Sequence, residues 1–306
     1  MHEGRIDELA QVRRALLAWH RRHGLHAPWR ESGDPYHALV AAVMAQQTQM
    51  SRVRPSYERF IAAFPTVYVL ASASTADVIR AWAGIGYNQR AVRLHRAARR
   101  IAATGWPRSA EELARIDGIG PFTAAIIASF AFGEPAACVD TNVRRVLGRL
   151  GGDESIGGRR LQSLADTAMS HRTPARWNQA LMDYGARVCT PRPSCAECVV
   201  TAWCASRDRY AEPATRVADE RAPYAAKRGS KRRQPPFEES ARYYRGRIID
   251  VLRDLRPGTS ARVDELRQLI ANGRAAPSAA TTRKLLGALE RNGLVEVRDG
   301  AASLPD

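Results

Sequence analysis

Residues 113–124 read LARIDGIGPFTA, a Gly-Ile-Gly turn between two apolar helical patterns. Because glycine adopts backbone conformations that other residues resist, this stretch predicts two helices joined by a tight hairpin. Backbone N–H groups at the start of the second helix could then bind an anion. A glycine-rich turn is often purely structural, but this spacing favours a clamp on a nucleic-acid phosphate. The expected clamp residues are Gly118, Ile119, Gly120 and Thr123.

The composition is strongly basic. The 306 residues include 47 Lys and Arg against 31 Asp and Glu, a formal net charge of +16. An excess of this size favours nucleic acid as a partner, although a basic surface without such a partner is the alternative. No apolar stretch approaches the roughly 20 residues that cross a bilayer, so we expect a cytoplasmic protein with no membrane contact.

Three regions follow one another along the chain. Residues 1–206 carry successive amphipathic helical patterns broken by Gly and Pro, which predicts an all-α core. Residues 207–240 form a linker rich in Arg and Pro, whose basic cluster at 227–233 is either a solvated tether or a phosphate contact. Residues 241–306 form a smaller C-terminal domain.

The C-terminal domain has the pattern of a winged helix. Three helical stretches are followed by a strand pattern that turns at Asp299-Gly300. The third helix, with Arg283, Lys284 and Arg291, would approach DNA and the hairpin would be the wing. A small packing or partner-binding module would give the same pattern, so both interpretations stay open.

Asp140 stands at a predicted helix start. An aspartate in this position usually caps the helix, and alone it would be interpreted in that way. Asp140 also follows Phe122 of the glycine hairpin by 18 residues, and this distance favours a catalytic carboxylate.

Four of the five cysteines lie in one short loop, as Cys189-x5-Cys195-x2-Cys198-x5-Cys204. Such spacing is poor for a disulfide framework and indicates a metal site at 189–204. The cysteines alone suit either a four-iron cluster or zinc.

Together these features resemble the helix-hairpin-helix (HhH-GPD) superfamily of DNA glycosylases over about residues 9–204, and within it the MutY adenine mismatch glycosylases. The matching stretches are PWR at 28–30, DPY at 34–36, VMAQQTQ at 43–49, WAGIGY at 82–87, RAVRLH at 90–95, VDTNVRR at 139–145 and NQALMDYGA at 178–186. The resemblance implies a two-lobed core, a [4Fe-4S] cluster on the four cysteines, and a monomer that binds double-stranded DNA containing a mismatch or lesion.

The resemblance also implies how the DNA is handled. The target base leaves the duplex for a pocket, because its sugar bond cannot be reached inside the stack. Gln47 would wedge into the vacated helix, with Gln46, Thr48 and Tyr87 also on the DNA. Since Gln46 and Gln47 fall in a helical pattern at 36–47, ordinary polar residues on a helix face are the alternative.

Asp140 would stabilise the positive charge that develops on the sugar. Asn142 would help to organise the site, or share in the helix cap.

The chain departs from the MutY pattern at several places. A Glu normally stands four residues before the first Gln and protonates the purine, whereas this chain has Ala42. General acid catalysis is typically worth ~10²–10⁴-fold in rate. Phe122 occupies the position of the Schiff-base Lys of bifunctional relatives, so strand cleavage is not expected. The first cysteine gap is one residue shorter than usual, and the usual β-rich domain for oxidised guanine is replaced by the winged-helix pattern.

The sequence therefore predicts a monofunctional, MutY-like DNA glycosylase of base excision repair, a hydrolase with adenine mismatches as its default substrate. A glycosylase retuned to a uracil or thymine mismatch, hypoxanthine or an alkylated purine is one alternative. A non-catalytic protein that binds DNA lesions is another, and the presence of Asp140 and Asn142 favours the enzyme.

Overall fold

The computed structural model describes residues 3–211 and 237–306. The chain forms two compact units. The first comprises Met1–Leu39, Pro107–Arg115 and Gly120–Gly229, and the second comprises Val40–Trp106, Ile116–Ile119 and Ser230–Asp306. The basic cluster predicted at 227–233 lies outside the described residues.

Helices dominate the described residues, as the sequence predicts. In chain order they are α1 (Glu3–His23), α2 (Pro28–Glu31), α3 (Pro35–Ala45), α4 (Met50–Ala63), α5 (Val67–Ser72), α6 (Thr75–Ala81), α7 (Gln89–Thr104), α8 (Ala110–Leu113), α9 (Pro121–Ala131), α10 (Thr141–Leu150), α11 (Gly158–Ala168), α12 (Pro174–Arg187), α13 (Arg207–Ala211), α14 (Ala241–Asp254), α15 (Val263–Ala271) and α16 (Ala279–Arg291). The strands are β1 (Ala261–Arg262), β2 (Glu296–Arg298) and β3 (Ala301–Ser303). Across both described ranges, none of the helices has the length and apolar character of a membrane span.

The first unit is built around α10 and α12. Helix α12 packs against both α1 and α10, and each of them buries its apolar face against it. Their shared core contains the buried side chains Val12, Leu16, Val143, Val146, Leu147, Trp177, Leu181 and Tyr184. Because close-packed cores tolerate little movement, this packing fixes the start of α10 in space.

A buried carboxylate ties α12 to the N-terminal part of the chain. Asp183 accepts hydrogen bonds from Arg30 at 2.8 and 3.0 Å and from the backbone N–H of Leu25 at 2.8 Å. Burial acts to raise the pKa of Asp183, but the bonds from His20 and Arg30 outweigh it and lower the pKa to about 2. The carboxylate therefore stays ionised. Removing the charge of Arg30 or of Asp183 would leave the other residue of this ion pair buried without its partner.

In the second unit, α6 and α7 share one core with the C-terminal elements. The helices contribute Ala76, Ile79 and Val92, and the C-terminal elements contribute Ile248, Ile249, Leu252, Leu266, Ile270, Leu285, Leu286, Leu289, Leu294, Val295, Ala302 and Leu304. Residues 241–306 thus pack on the helices beside them through a common apolar interior.

The strands form an antiparallel sheet in the order β1-β3-β2, with Ala302 of β3 opposite both Ala261 and Val297. The predicted turn at Asp299-Gly300 joins β2 to β3, and both of its residues have positive φ, 51° and 75°. Strand β1 was not predicted, because two residues are too few to show an alternating pattern.

One helix ends earlier than its sequence pattern predicts. The pattern at 36–47 places Gln46 and Gln47 inside a helix, but α3 ends at Ala45. Gln47 has a φ of 54°, and a left-handed residue stops an α-helix. Arg90 donates hydrogen bonds to the carbonyls of Val43 and Met44 at 2.9 and 3.0 Å, so a side chain satisfies the last carbonyls of the helix.

Candidate active site

Asp140 caps α10 and is held by two donors. Its Oδ1 accepts a hydrogen bond from the backbone N–H of Val143 at 2.7 Å. Its Oδ2 accepts one from the Asn142 amide at 3.1 Å. The capping interaction expected from the sequence is therefore present, and the two hydrogen bonds together fix both oxygens of the carboxylate.

The electrostatic surroundings of Asp140 are unusual for an acid at a helix start. Burial raises the pKa of Asp140 above its ordinary value, although the hydrogen bonds from Val143 and Asn142 lower it in part. A poorly hydrated carboxylate interacts more strongly with a nearby positive charge than one in water does. The site is thus suited to stabilising a cation.

Asn142 is held from its other end by Arg145. The Arg145 Nη2 donates to the Asn142 side-chain oxygen at 2.7 Å and to the Gly185 carbonyl at 2.6 Å. This leaves the Asn142 amide nitrogen to face Asp140. Arg145 also donates through Nε to the Cys189 carbonyl at 2.6 Å, so α10 is joined to the start of the cysteine loop. Sequence analysis gave Arg145 no role.

Gly185 of α12 lies against Asn142 with no room for a side chain. A Cβ added there would stand 2.7 Å from the Asn142 Cβ and 2.9 Å from its carbonyl oxygen. Only glycine lets the two helices approach this closely, so Gly185 helps to fix Asn142.

The four cysteines line one pocket, together with Arg149 and Tyr210. The Tyr184 hydroxyl donates to Cys198 Sγ at 3.1 Å, and Arg149 Nη1 donates to Cys189 Sγ at 3.5 Å. The thiols share this pocket without standing in coordination geometry: among residues 3–211 and 237–306, no three His, Cys, Asp or Glu side chains are arranged as a metal site.

In the second unit, the candidate DNA-contacting residues lie in two turns. Gln46, Gln47 and Thr48 follow α3, and Tyr87 precedes α7. Gln47 and Tyr87 are exposed and both have positive φ, 54° and 47°. Residues in such conformations cost of order 1–3 kcal/mol and cluster at functional sites. We call these segments the Gln47 turn (residues 46–48) and the Tyr87 turn (residues 86–89).

One buried guanidinium binds both turns. Arg90 of α7 is 7 % exposed and donates to the Gln46 carbonyl, to Thr48 Oγ1 at 3.1 Å and to the Gly86 carbonyl at 3.2 Å. Its guanidinium carbon also lies 5.3 Å from the centre of the Tyr87 ring. Sequence analysis assigned no role to Arg90, although its position four residues before Leu94, on the same face of α7, indicates that the charge is buried.

The hairpin residues have different surroundings. Gly118 has a φ of 91°, and a Cβ there would lie 2.8 Å from the Arg93 carbonyl oxygen, so only glycine fits. Gly120 is exposed at the start of α9, with open space where a Cβ would stand. The side chains of Ile119 and Thr123 are buried, so a clamp made by these residues would use their backbone.

Positions 42 and 122 carry neither an acid nor an amine, the groups that glycosylases could use there as a proton donor and as a nucleophile. Ala42 lies on the buried face of α3 with 8 % exposure and has no ionisable group. Phe122, at the start of α9, has no amine. Neither an acid nor a Schiff-base nucleophile is therefore present at these two positions.

Comparison with known proteins places this geometry in a family. The model for the HhH-GPD superfamily of base excision DNA repair proteins matches residues 40–166. The adenine DNA glycosylase of Mycobacterium tuberculosis is 38 % identical over 262 residues, 81 % of each chain. The human adenine DNA glycosylase is 38 % identical over 222 residues, which cover 67 % of this chain and 41 % of the human protein.

Solved structures agree on the fold. A thermostable thymine-DNA glycosylase is 26 % identical with a TM-score of 0.64, covering 68 % of this chain and 100 % of that one. An endonuclease III–DNA complex shares the fold at 21 % identity and a TM-score of 0.56, covering 67 % and 99 % of the two chains. The chain therefore belongs to the HhH-GPD superfamily of base excision DNA repair proteins, and within it to the MutY-like DNA N-glycosylases.

Proposed function

We propose that this glycosylase removes adenine from mismatched duplex DNA by hydrolysing the bond between the base and its deoxyribose. The observation that carries the proposal is the partly buried Asp140 carboxylate, held by Val143 and Asn142 at the start of α10. The names of the bacterial and human relatives, both adenine DNA glycosylases, support the choice of adenine.

Asp140 supplies a fixed negative charge in this reaction. As the glycosidic bond breaks, positive charge develops on the sugar, and the carboxylate stabilises that charge. Because both oxygens already accept hydrogen bonds, the carboxylate does not have to reorganise as the charge develops. Water then adds to the sugar cation to complete the hydrolysis. Asn142 is a positioning residue, since its amide orients Asp140 and is itself oriented by Arg145.

The two turns of the second unit would engage the duplex. Flipping a base out of the stack costs a few kcal/mol, and side chains that fill the gap repay part of it. Gln47 and Tyr87 are exposed and already held in their turns, so little ordering is needed on binding. The open space at Gly120 would let a phosphate approach the backbone at the start of α9.

A second candidate function is favoured by Ala42. Adenine is a poor leaving group unless it is protonated, and a positioned acid typically contributes ~10²–10⁴-fold to such a step. A base that leaves without protonation would lose nothing from this change. The 26 % identity to a thermostable thymine-DNA glycosylase makes a thymine mismatch the first such substrate to test.

We infer that the four cysteines hold a [4Fe-4S] cluster. Four thiolates are the donor set that iron–sulfur clusters use, and all four cysteines line a single pocket. Hydrogen bonds from Tyr184 and Arg149 already point at two of the sulfurs, an arrangement that supports ligated thiolates. When bound, the cluster would stabilise the fold of the cysteine loop and would take no part in the hydrolysis. Four iron and four sulfide per chain are expected, and a colourless protein with one zinc per chain would refute the assignment.

Further proposals concern the reaction type and the remaining domain. Phe122 leaves α9 without a Schiff-base amine, which supports a monofunctional enzyme. The order α14-β1-α15-α16-β2-β3 supports a winged helix at 241–306. We also infer that the protein works as a monomer in the cytoplasm, bound to the DNA it repairs.

The decisive experiment offers the purified protein a panel of duplexes. They carry adenine opposite oxidised guanine, adenine opposite guanine, thymine opposite guanine, uracil, hypoxanthine or an alkylated purine, and alkali then reveals abasic sites as breaks. We expect breaks at adenine, and breaks only after alkali. Breaks in the thymine duplex alone would establish the second candidate.

Asp140→Asn is the matched variant, because asparagine caps helices as well as aspartate does and removes only the charge. Loss of a preorganised charge typically costs ~10²–10³-fold. We expect a loss of at least this size with duplex binding retained. If no duplex is cleaved by the wild-type protein although mismatched DNA is bound tightly, the protein is a lesion sensor and the proposal is wrong.

A further inference from the structure

Three consecutive residues of the Tyr87 turn each bind a side chain from the C-terminal region. Tyr87 accepts a hydrogen bond from Arg242 at 2.9 Å. Asn88 accepts one from Arg253 at 2.9 Å. Gln89 donates one to Asn292 at 2.8 Å. Each of these three turn residues is therefore bound by a different residue more than 150 positions away in sequence.

Arg253 is the most deeply embedded of the three. Its side chain is 9 % exposed, and besides Asn88 it donates to the Ile79 carbonyl at the end of α6, at 2.9 Å. Asp250 on the same helix balances part of its charge, at 3.1 Å. A guanidinium placed in this way spans the end of one helix and the start of the next, and so fixes the intervening turn.

Asn88 shows that the contact replaces an ordinary local one. It stands at the N-cap of α7, where an asparagine side chain normally binds a backbone N–H of its own helix. Here the side chain makes no capping hydrogen bond, and its oxygen accepts from Arg253 instead. The Asn88 side chain is thus held by residues 241–306 rather than by its own helix.

Two guanidinium groups lie close to the Tyr87 ring. The Arg242 carbon is 4.8 Å from the ring centre and the Arg90 carbon is 5.3 Å from it. Cations at these distances are attracted to an aromatic ring by about 0.5–1 kcal/mol at exposed sites. Arg90 belongs to α7 itself, whereas Arg242 belongs to α14, so the orientation of the ring is set jointly by both.

We propose that the C-terminal region positions the Tyr87 turn for DNA, with Arg253 and Arg242 as positioning residues. The proposal rests on the proposed function in one respect, the contact between Tyr87 and DNA. In this role the region need not read a base itself. It raises the affinity for mismatched duplex DNA by keeping Tyr87 in the conformation that enters the helix, so that binding does not have to order it.

The test uses the full-length protein and a double-mutant cycle. Arg253→Met keeps the aliphatic bulk but removes the bonds to Asn88 and Ile79, and Arg256→Met, at an exposed site on the same region, is the control. Dissociation constants for mismatched and fully paired duplexes are measured with and without Tyr87→Ala. We expect Arg253→Met to weaken mismatch binding about tenfold, Arg256→Met to have no effect beyond twofold, and paired-duplex binding to change little.

The coupling separates positioning from general stability. If Arg253 acts through Tyr87, Arg253→Met should cost almost nothing further once Tyr87→Ala is present, because the two losses describe one interaction. Equal losses in both backgrounds would overturn the proposal, as would a Tyr87→Ala protein that binds mismatched DNA normally. Arg242→Met, at a residue whose hydrogen bond goes to Tyr87 itself, should reproduce part of the effect if Arg253→Met proves too unstable. The readout is binding, so a wild-type protein without excision would refute the proposed function and leave this coupling measurable.

Discussion

Replacing Arg90 with methionine should release both turns of the second unit together. Methionine is similar in length to the arginine stem and removes every donor. The substitution takes hydrogen bonds from the carbonyls of Val43, Met44 and Gln46 and from Thr48, all at the C-terminal end of α3 or just beyond. With no guanidinium between them, the Gln47 turn and the Tyr87 turn lose their common support.

The size of the effect follows from which acceptors are buried. The Met44 carbonyl is buried where it meets Arg90, and an unsatisfied buried acceptor costs about 1–3 kcal/mol. The Val43 carbonyl is also buried there, but it keeps a hydrogen bond from the Gln46 backbone N–H at 3.4 Å. Gln46 and Thr48 are nearer the surface, where water can replace the lost partner. Against this, burial lowers the pKa of Arg90, which marks a desolvation cost that methionine does not have. A net loss of roughly 2 kcal/mol is a sizeable part of the about 5–15 kcal/mol that stabilises most proteins.

Thermal unfolding followed by circular dichroism, and duplex binding at a temperature where the variant is folded, are the two assays. A loss of this size lowers the melting temperature by roughly 6 °C at about 2–4 °C per kcal/mol. Affinity for a mismatched duplex should fall more than affinity for a paired one, because the turns are the affected part. Arg100→Met, exposed near the end of the same helix, is the control. An Arg90→Met protein would refute the proposed support of both turns by Arg90 if it melts like the wild type and prefers the mismatched duplex as strongly as the wild type does.

Three further outcomes are expected. Gly118→Ala should lower the melting temperature, since its methyl would meet a backbone carbonyl of α7 at 2.8 Å. Gly120→Ala should melt like the wild type and bind DNA more weakly. Equal melting temperatures for the two variants would contradict the structural role of Gly118. Gly185→Ala should push Asn142 away and lower the excision rate more than it weakens DNA binding, which rate and titration measurements on one duplex will show. Burial raises the pKa of Asp140 above the ordinary value of an aspartate, and the reaction needs the ionised carboxylate. The rate should therefore fall as the pH drops through this raised pKa, whereas a rate that does not fall at acid pH would exclude Asp140 as the charged group.

Much of the helical architecture was predictable from local pattern. Helix α10 begins and ends where the sequence indicates, because Asp140 is a good cap and its apolar residues recur at helical spacing. The end of α3 was not predictable in this way. Gln46 and Gln47 continue the pattern, but Gln47 is left-handed, and the carbonyls at this helix end are bonded by a guanidinium from α7, more than 40 residues later.

The candidate site shows the same division between local and distant information. Asp140 and Asn142 lie two residues apart, so their contact could be anticipated. The partners of Arg145 and Arg90 could not be assigned from the sequence, because arginine lies mostly on solvated faces and its residue type does not reveal a buried hydrogen-bond network. Their acceptors, such as the Cys189 carbonyl, are backbone atoms, and a backbone acceptor leaves no residue-type signal in the sequence.

The substitution Ala42→Glu tests what the missing acid means for the substrate. If the protein acts on adenine through Asp140 alone, the barrier still includes departure of an unprotonated purine. A glutamic acid at this buried position of α3 would have its pKa raised by burial, which favours the protonated form that an acid needs. We expect adenine excision to rise ~10²–10⁴-fold, with little change for a thymine mismatch. Single-turnover rates on the two duplexes measure both.

Ala42→Gln is the matched control, because glutamine has nearly the size of glutamate and cannot donate a proton as an acid. Equal rates for the two variants would show that position 42 does not meet the base in this chain. A rise for thymine as large as that for adenine would point instead to a general effect on DNA binding. A rise confined to adenine and to glutamate would mean that an acid at position 42 reaches the base and that departure of the unprotonated purine limits the rate of the wild-type protein.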